Sequence, residues 1–336
     1  MRRHGLRGDV ITYNALLTAC DKGRQLDRAL EVFAEMQREG IQPDVITYNS
    51  LIGACSKSSQ PERALSFFED MQERGVQPDV VIYNSLLSAI SKGSSPSRAV
   101  EVFERMQTAG LKPDVITFSA LISCCAKGCQ TAKALHFFEV MKTRGLKPDV
   151  ITYSALISAC EKGRQADRAL QLFGAMQEEG LEPNIITFNA LISACEKGGK
   201  HEKSLQLFST MRARGIWPDV ITYSALISAC EKGGQAARAM QLFREMLKNG
   251  LAPNIITLNA LISACEKGGE PGKAVEIFNN MGRWGVAPDV ISYNVVISSH
   301  SKGPEPERAL EVFEQMQDAR VTPDVITYLL LANHRV

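Results

Sequence analysis

The segment Pro218–Ala252, PDVITYSALISACEKGGQAARAMQLFREMLKNGLA, returns nearly unchanged when shifted by 35 residues in either direction. Its opening Pro-Asp (or Pro-Asn) dipeptide recurs at Pro43, Pro78, Pro113, Pro148, Pro183, Pro218, Pro253, Pro288 and Pro323, with no insertion anywhere. A fixed period in this range marks a stack of like supersecondary units, each touching only its neighbours. Within the segment, Tyr223, Leu226, Ile227 and Cys230 follow the i, i+3, i+4, i+7 pattern of an amphipathic helix. Lys232-Gly233 then supplies a cationic last turn and a glycine stop, and a second stripe follows at Ala239, Met240, Phe243 and Met246. Each repeat is therefore expected to be a helical hairpin.

Numbering from the Val or Ile after the dipeptide gives nine full repeats, 10–44, 45–79, 80–114, 115–149, 150–184, 185–219, 220–254, 255–289 and 290–324. Residues 1–9 read as the end of a truncated repeat, with Met1 at the place of the core methionine, and 325–336 as a partial tenth. The chain is thus expected to start and stop within a longer array. Position 24 is Phe and position 27 is Met in all nine repeats, which marks a packed spine.

The formal net charge of +1 advertises no global field for nucleic acid, so any electrostatic footprint must be local. No apolar run is long enough to span a membrane. Of nine cysteines, Cys20, Cys55, Cys125, Cys160, Cys195, Cys230 and Cys265 share one apolar position 35 residues apart, which reads as core in a reducing compartment. Cys124, Cys125 and Cys129 form one local cluster, but no second cysteine pair or His-x-x-His accompanies them. The histidines His4, His136, His201, His300 and His334 are scattered, and neither a phosphate loop nor a zinc-deaminase signature is present. No catalytic residue, metal or cofactor is expected, and the chain reads as a binding protein.

The V-I-T-Y-N-x-L-I first helix, the A-L-x-x-F-x-x-M second helix and the G-x-x-P-D close together resemble the pentatricopeptide repeat proteins, over essentially the whole chain. The uniform 35-residue step is similar to the P-type subclass. The resemblance implies an all-α, right-handed superhelical solenoid of helix-turn-helix repeats. Its first helices would line a groove for single-stranded RNA, one base per repeat. It implies, further, that positions 5 and 35 read the base, position 2 sandwiches it and position 13 approaches a phosphate.

Position 5 is Asn14, Asn49, Asn84, Ser119, Ser154, Asn189, Ser224, Asn259 and Asn294; position 35 is Asp44, Asp79, Asp114, Asp149, Asn184, Asp219, Asn254, Asp289 and Asp324. An ionised Asp only accepts, which suits the ring N–H of uracil or guanine, whereas Asn can also donate, which suits adenine. A short Ser leaves room for a purine. The family code then reads 5′-UUUGAUAUU-3′ from the N-terminal end. Helix capping by position 35 and simple solvation of position 5 are the bland alternative. Position 2 is Ile11, Ile46, Val81, Ile116, Ile151, Ile186, Ile221, Ile256 and Ile291, branched aliphatics between which a base can lie. Position 13 is Lys22, Lys57, Lys92, Lys127, Lys162, Lys197, Lys232, Lys267 and Lys302, a cationic track unless these charges only complement helix dipoles. Leu329 breaks the position-5 pattern, and no base is assigned to it.

The expected activity is occupancy of a single-stranded RNA by a monomer, for RNA processing, stability or translation. The resemblance places it in a mitochondrion or chloroplast, with protein partners unknown. The rival reading is a peptide-binding scaffold of the tetratricopeptide type, which would vary irregularly along its groove rather than use two-letter alphabets at two positions.

Overall fold

The computed structural model describes residues 8–301 and 306–332, so Met1, His4, Lys302, His334 and the last four residues of the partial repeat lie outside the described residues. Among the described residues there are 19 α-helices and no strand. They divide into two compact bodies, one comprising residues to Gly163 with Glu178–Leu181, the other Arg164–Gln177 with the chain from Glu182 onward.

In the first body the first helices of the hairpins are α1 (Val10–Lys22), α3 (Val45–Lys57), α5 (Val80–Lys92), α7 (Val115–Lys127) and α9 (Val150–Lys162). They alternate with the second helices α2 (Leu26–Arg38), α4 (Pro61–Glu73), α6 (Pro96–Thr108) and α8 (Thr131–Thr143). From α1 to α8, each first helix packs on its own second helix and on the next first helix, and each second helix also touches the next first helix. The second body repeats this arrangement. Its helices are α10 (Ala166–Glu178), α11 (Ile185–Lys197), α12 (His201–Ala213), α13 (Val220–Lys232), α14 (Ala236–Lys248), α15 (Ile255–Lys267), α16 (Pro271–Asn279), α17 (Val290–Ser301), α18 (Arg308–Asp318) and α19 (Val325–Ala332). Helix α16 is the short one of its kind, finishing in a 3-10 turn over Met281–Trp284 where Gly282 interrupts the favourable run.

The first helices start at position 35 of the preceding repeat. There the Asp or Asn adopts extended backbone and accepts from the amide three residues on, as in Asp44 from Thr47 and Asn254 from Thr257, both at 2.9 Å. The second helices end at a left-handed residue, Gly40 at φ 73° and its counterparts, a conformation glycine adopts without steric cost. Arg320 takes the same conformation at φ 57°.

Where a glycine follows the first-helix lysine, as Gly23 follows Lys22, it caps the helix end with φ −79°, and the positive φ of 54° falls on Arg24 after it. What the glycine supplies is a close approach of hairpins. A Cβ on Gly128 would stand 2.2 Å from Pro96 Cγ, and one on Gly198 2.6 Å from Ala166 Cβ. The second helix of the preceding repeat thus begins directly against this turn.

Each body has a core column of methionines, Met36, Met71, Met106 and Met141 in the first and Met176, Met211, Met246, Met281 and Met316 in the second, all fully buried. Beside it runs an aromatic ladder in which the position-24 Phe meets the position-4 ring of the next repeat edge to face. Phe68 with Tyr83 (5.2 Å), Phe103 with Phe118 (5.5 Å) and Phe278 with Tyr293 (5.1 Å) are examples. Each such pair contributes about 0.5–1.5 kcal/mol beyond its area burial and couples consecutive hairpins. Leu258 leaves a gap in the ladder, and Phe243 there packs against Trp284 instead, at 5.4 Å.

The seven repeat cysteines are buried, and none of the nine is disulfide-bonded. Burial pushes the Cys55, Cys125, Cys195 and Cys230 thiols up to about 11, far from the thiolate needed for reaction. Iodoacetamide at neutral pH is therefore expected to modify exposed Cys129 first. Intact-mass spectrometry should show one adduct in the folded protein and nine in denaturant; rapid loss of several folded thiols would contradict this packing.

Candidate nucleic-acid interface

Positions 2 and 5 lie one turn apart at the start of each first helix, on one face, and position 35 caps the following first helix beside them. All nine position-2 side chains are exposed, from 52% at Val81 to 72% at Ile11. Exposure of a branched aliphatic at the same place in every repeat is not the scatter of an ordinary surface.

The position-5 and position-35 side chains meet. Asn14 Nδ2 donates to both carboxylate oxygens of Asp44 (2.9 and 3.0 Å), and Asn84 does the same to Asp114 (3.1 and 3.2 Å). Asn189 pairs with Asp219, Asn259 with Asp289 and Asn294 with Asp324. With serine the gap is wider: Ser119 Oγ lies 3.4 Å from Asp149 Oδ1, and Ser224 Oγ 3.4 Å from Asn254 Oδ1. Ser154 belongs to the first body and Asn184 to the second. In the second repeat, among the described residues, Asn49 makes no hydrogen bond to Asp79; its Oδ1 accepts from Ser85 at 3.2 Å. Capping and pairing thus coexist at position 35.

Capping also decides which atom remains for a ligand. Asn254 Oδ1 accepts from the Thr257 amide and hydroxyl (both 2.9 Å), so its unengaged end is the NH2 donor. Asp44 Oδ1 is similarly engaged by Thr47, and Oδ2, with one amide contact, keeps acceptor capacity. Partial burial raises the Asp44 pKa, but hydrogen bonds led by those from the Thr47 amide and Asn14 outweigh it. The carboxyl therefore sits below the ordinary aspartate value and is ionised at neutral pH.

A buried hydroxyl underlies this pair, at position 3 of the next repeat, and was given no role from sequence. Thr47, Thr117, Thr152, Thr187, Thr222, Thr257 and Thr327 are fully buried. The near-constant Thr column of the V-I-T-Y-N motif was the available signal.

Six of the position-13 lysines reach back one repeat. Lys57 Nζ lies 2.6 Å from Asp21 Oδ2, Lys232 pairs with Glu196, and Lys267 pairs with Glu231. Lys92, Lys127 and Lys162 instead donate to the carbonyls of Ser56 (2.6 Å), Ser91 (3.1 Å) and Lys127 (3.1 Å). The dipole they complement is that of the neighbouring helix end. Desolvation first, then the charges of Arg24, Lys127 and Lys57, pull the Lys92 pKa down. Among the described residues no group of three His, Cys, Asp or Glu side chains could hold a metal, and no helix is long and apolar enough to cross a membrane.

Stacked helical hairpins with an exposed aliphatic at the same place in every repeat define a helical-repeat protein. A pentatricopeptide repeat domain profile matches residues 1–58, 66–128, 136–198 and 206–270, and further repeat profiles match 43–81, 253–302, 288–334, 116–146 and 186–216. The chain belongs to the pentatricopeptide repeat family. A search of curated protein sequences returns no match. Among solved structures, the chain is similar to PPR10 in complex with an 18-nt psaJ RNA element, with TM-score 0.76 and 24% identity over 99% of this chain. It spans 54% of that protein's chain. Maize PPR10 in a second crystal structure matches with TM-score 0.53 and 23% identity, over 99% of this chain and 62% of the other. At these identities the likeness establishes the helical-repeat fold.

Proposed function

We propose that this chain binds single-stranded RNA sequence-specifically, one base per repeat, along 5′-UUUGAUAUU-3′. The observation that carries this is the capping geometry at position 35. It leaves acceptor capacity at Asp44 and an unengaged donor at Asn254, each near an exposed aliphatic on which a base can lie. The N3–H of uracil and N1–H of guanine require the acceptor, and N1 of adenine requires the donor. Asn at position 5 fills the space beside a pyrimidine, and the shorter Ser admits a purine. The protein acts as a monomer by occupancy, in a mitochondrion or chloroplast, where covering a segment protects it, exposes a neighbouring one or masks a processing site. The PPR10 structure with bound RNA supports this reading. The regularity of the polar alphabets counts against a peptide-binding scaffold.

The test is fluorescence anisotropy with labelled UUUGAUAUU, with AAACUAUAA and with the DNA version, each across a salt series. Tight binding to the first alone, weakening as salt rises, is expected. The lysine geometry sharpens it: Lys92→Gln should weaken binding to every sequence and reduce the salt slope by about one. Lys232→Gln, whose charge is already compensated by Glu196, should change the slope less. Equal binding of all three oligonucleotides would overturn base reading.

A further inference from the structure

The position-3 hydroxyl is not needed to start its helix. Asp79 caps α5 through the Ile82 amide at 2.9 Å, as Asp44 caps α3 through Thr47 at 2.9 Å, although Ile82 has no hydroxyl to add. What the hydroxyl does in addition is reach back to position 5 of the preceding repeat. Thr47 Oγ1 donates to Asn14 Oδ1, Thr117 Oγ1 to Asn84 Oδ1 and Thr327 Oγ1 to Asn294 Oδ1, each at 2.6 Å. Thr222 does so to Asn189 at 2.5 Å, and Ser292, the one serine in the column, to Asn259 at 2.6 Å. Where position 5 is serine, the hydroxyl still holds it: Ser119 with Thr152 at 2.6 Å, Ser224 with Thr257 at 2.7 Å.

A carboxamide has two orientations that exchange donor and acceptor. With the Thr hydroxyl on Oδ1 and the carboxylate on Nδ2, only one satisfies both ends. Asn14 and Asn84 are accordingly buried within the network. Ile82 removes the hydroxyl from the second repeat, and there Asn49 has swung to Ser85 and parted from Asp79. Repeats one, two and three carry the same Asn–Asp pair in the same compact body, so they form an internal comparison in which the position-3 residue is the relevant difference.

We infer that the position-3 hydroxyl of each following repeat is a positioning residue for base readout, and that Ile82 makes the second repeat a degenerate reader. This rests on the RNA-reading proposal above. Fixing the Asn before the base arrives removes a conformational cost of binding and a choice of hydrogen-bond sense, both of which enter discrimination. A uracil opposite repeat one or three is read by a held pair; opposite repeat two, the pair must first reassemble.

The experiment measures binding of the full chain to UUUGAUAUU and to oligonucleotides changed to A, C or G at the first, second or third nucleotide. Wild type is expected to lose about tenfold in affinity for the worst base at the first and third positions, and under about threefold at the second. Ile82→Thr should raise discrimination at the second nucleotide toward that at its neighbours. Thr47→Val, which keeps shape and the capping amide, should lower it at the first nucleotide only, and Thr47→Ser should restore it. A purely structural role would move thermal unfolding in both Thr47 variants without this base-selective pattern. Sharp discrimination at the second nucleotide in wild type, or no change with Ile82→Thr while the first and third positions still discriminate, overturns the inference and leaves RNA reading standing. Absence of discrimination at all three positions overturns the code and this inference with it.

Discussion

Phe68→Ala is expected to cost about 3–5 kcal/mol, the range for emptying a fully buried aromatic position. Phe68 has no exposed surface and meets Tyr83 of the next hairpin edge to face at 5.2 Å, so the substitution opens a cavity and cuts one rung of the aromatic ladder. In a globular domain that loss would fall on one cooperative transition. In a stack of hairpins stability is a sum of repeat terms and nearest-neighbour couplings, so the damage should be local. Hydrogen exchange followed by mass spectrometry should show the amides of α3, α4 and α5 exchanging sooner, with α13 and α14 unchanged. Denaturant unfolding should broaden or split. Uniformly faster exchange along the chain would mean that the hairpins are not the units of stability. The gap at Leu258 supplies a natural comparison: with Phe243 turned to Trp284, the α14–α15 contact lacks its rung. Leu258→Tyr should fill it and slow exchange there, provided the added ring fits without strain.

The hairpin architecture was legible because each of its determinants lies within one period. The apolar stripes, the caps and the Phe and Met columns are set by spacings of three, four and 35 residues along the chain. What stayed hidden depends on how one hairpin sits on the next. A glycine after the lysine, such as Gly128, reads as a helix stop in one dimension; only Pro96 set against it shows that it also makes room for the neighbouring helix. The lysines read as a uniform track; their pairing with Asp21, Glu196 or Glu231, or with carbonyls, depends on position 12 of the preceding repeat. The threonine hydroxyls carry the same lesson. Thr47 is near Asp44 in sequence, and its cap could be anticipated, but Asn14 lies 33 residues before it. Variation at one position of a repeat is therefore read against the preceding repeat as well as its own.

Ser224→Asn combined with Asn254→Asp is expected to change the seventh nucleotide from A to U, so that UUUGAUUUU replaces UUUGAUAUU as the preferred site. Asn254 now spends Oδ1 on the Thr257 amide and hydroxyl and turns its NH2 outward. An Asp there would cap equally well through one oxygen and present the other as an acceptor, so an outward donor becomes an outward acceptor without disturbing α15. Ser224→Asn fills the space left for a purine. Its Oδ1 falls within reach of Thr257, the hydroxyl that now holds Ser224 at 2.7 Å, which would orient it as Thr222 orients Asn189. Leaving a buried polar group facing the wrong edge costs about 1–3 kcal/mol, so the preference should invert by roughly tenfold to a hundredfold. Thermal unfolding should stay close to wild type, because the cap of α15 is retained. Asn254→Asp alone should favour G at that nucleotide, since the purine space remains while the donor is lost. Competition binding with the four seventh-position variants of the oligonucleotide measures all of this in one experiment. An unchanged preference for A in the folded double variant would show that these two positions do not read the base.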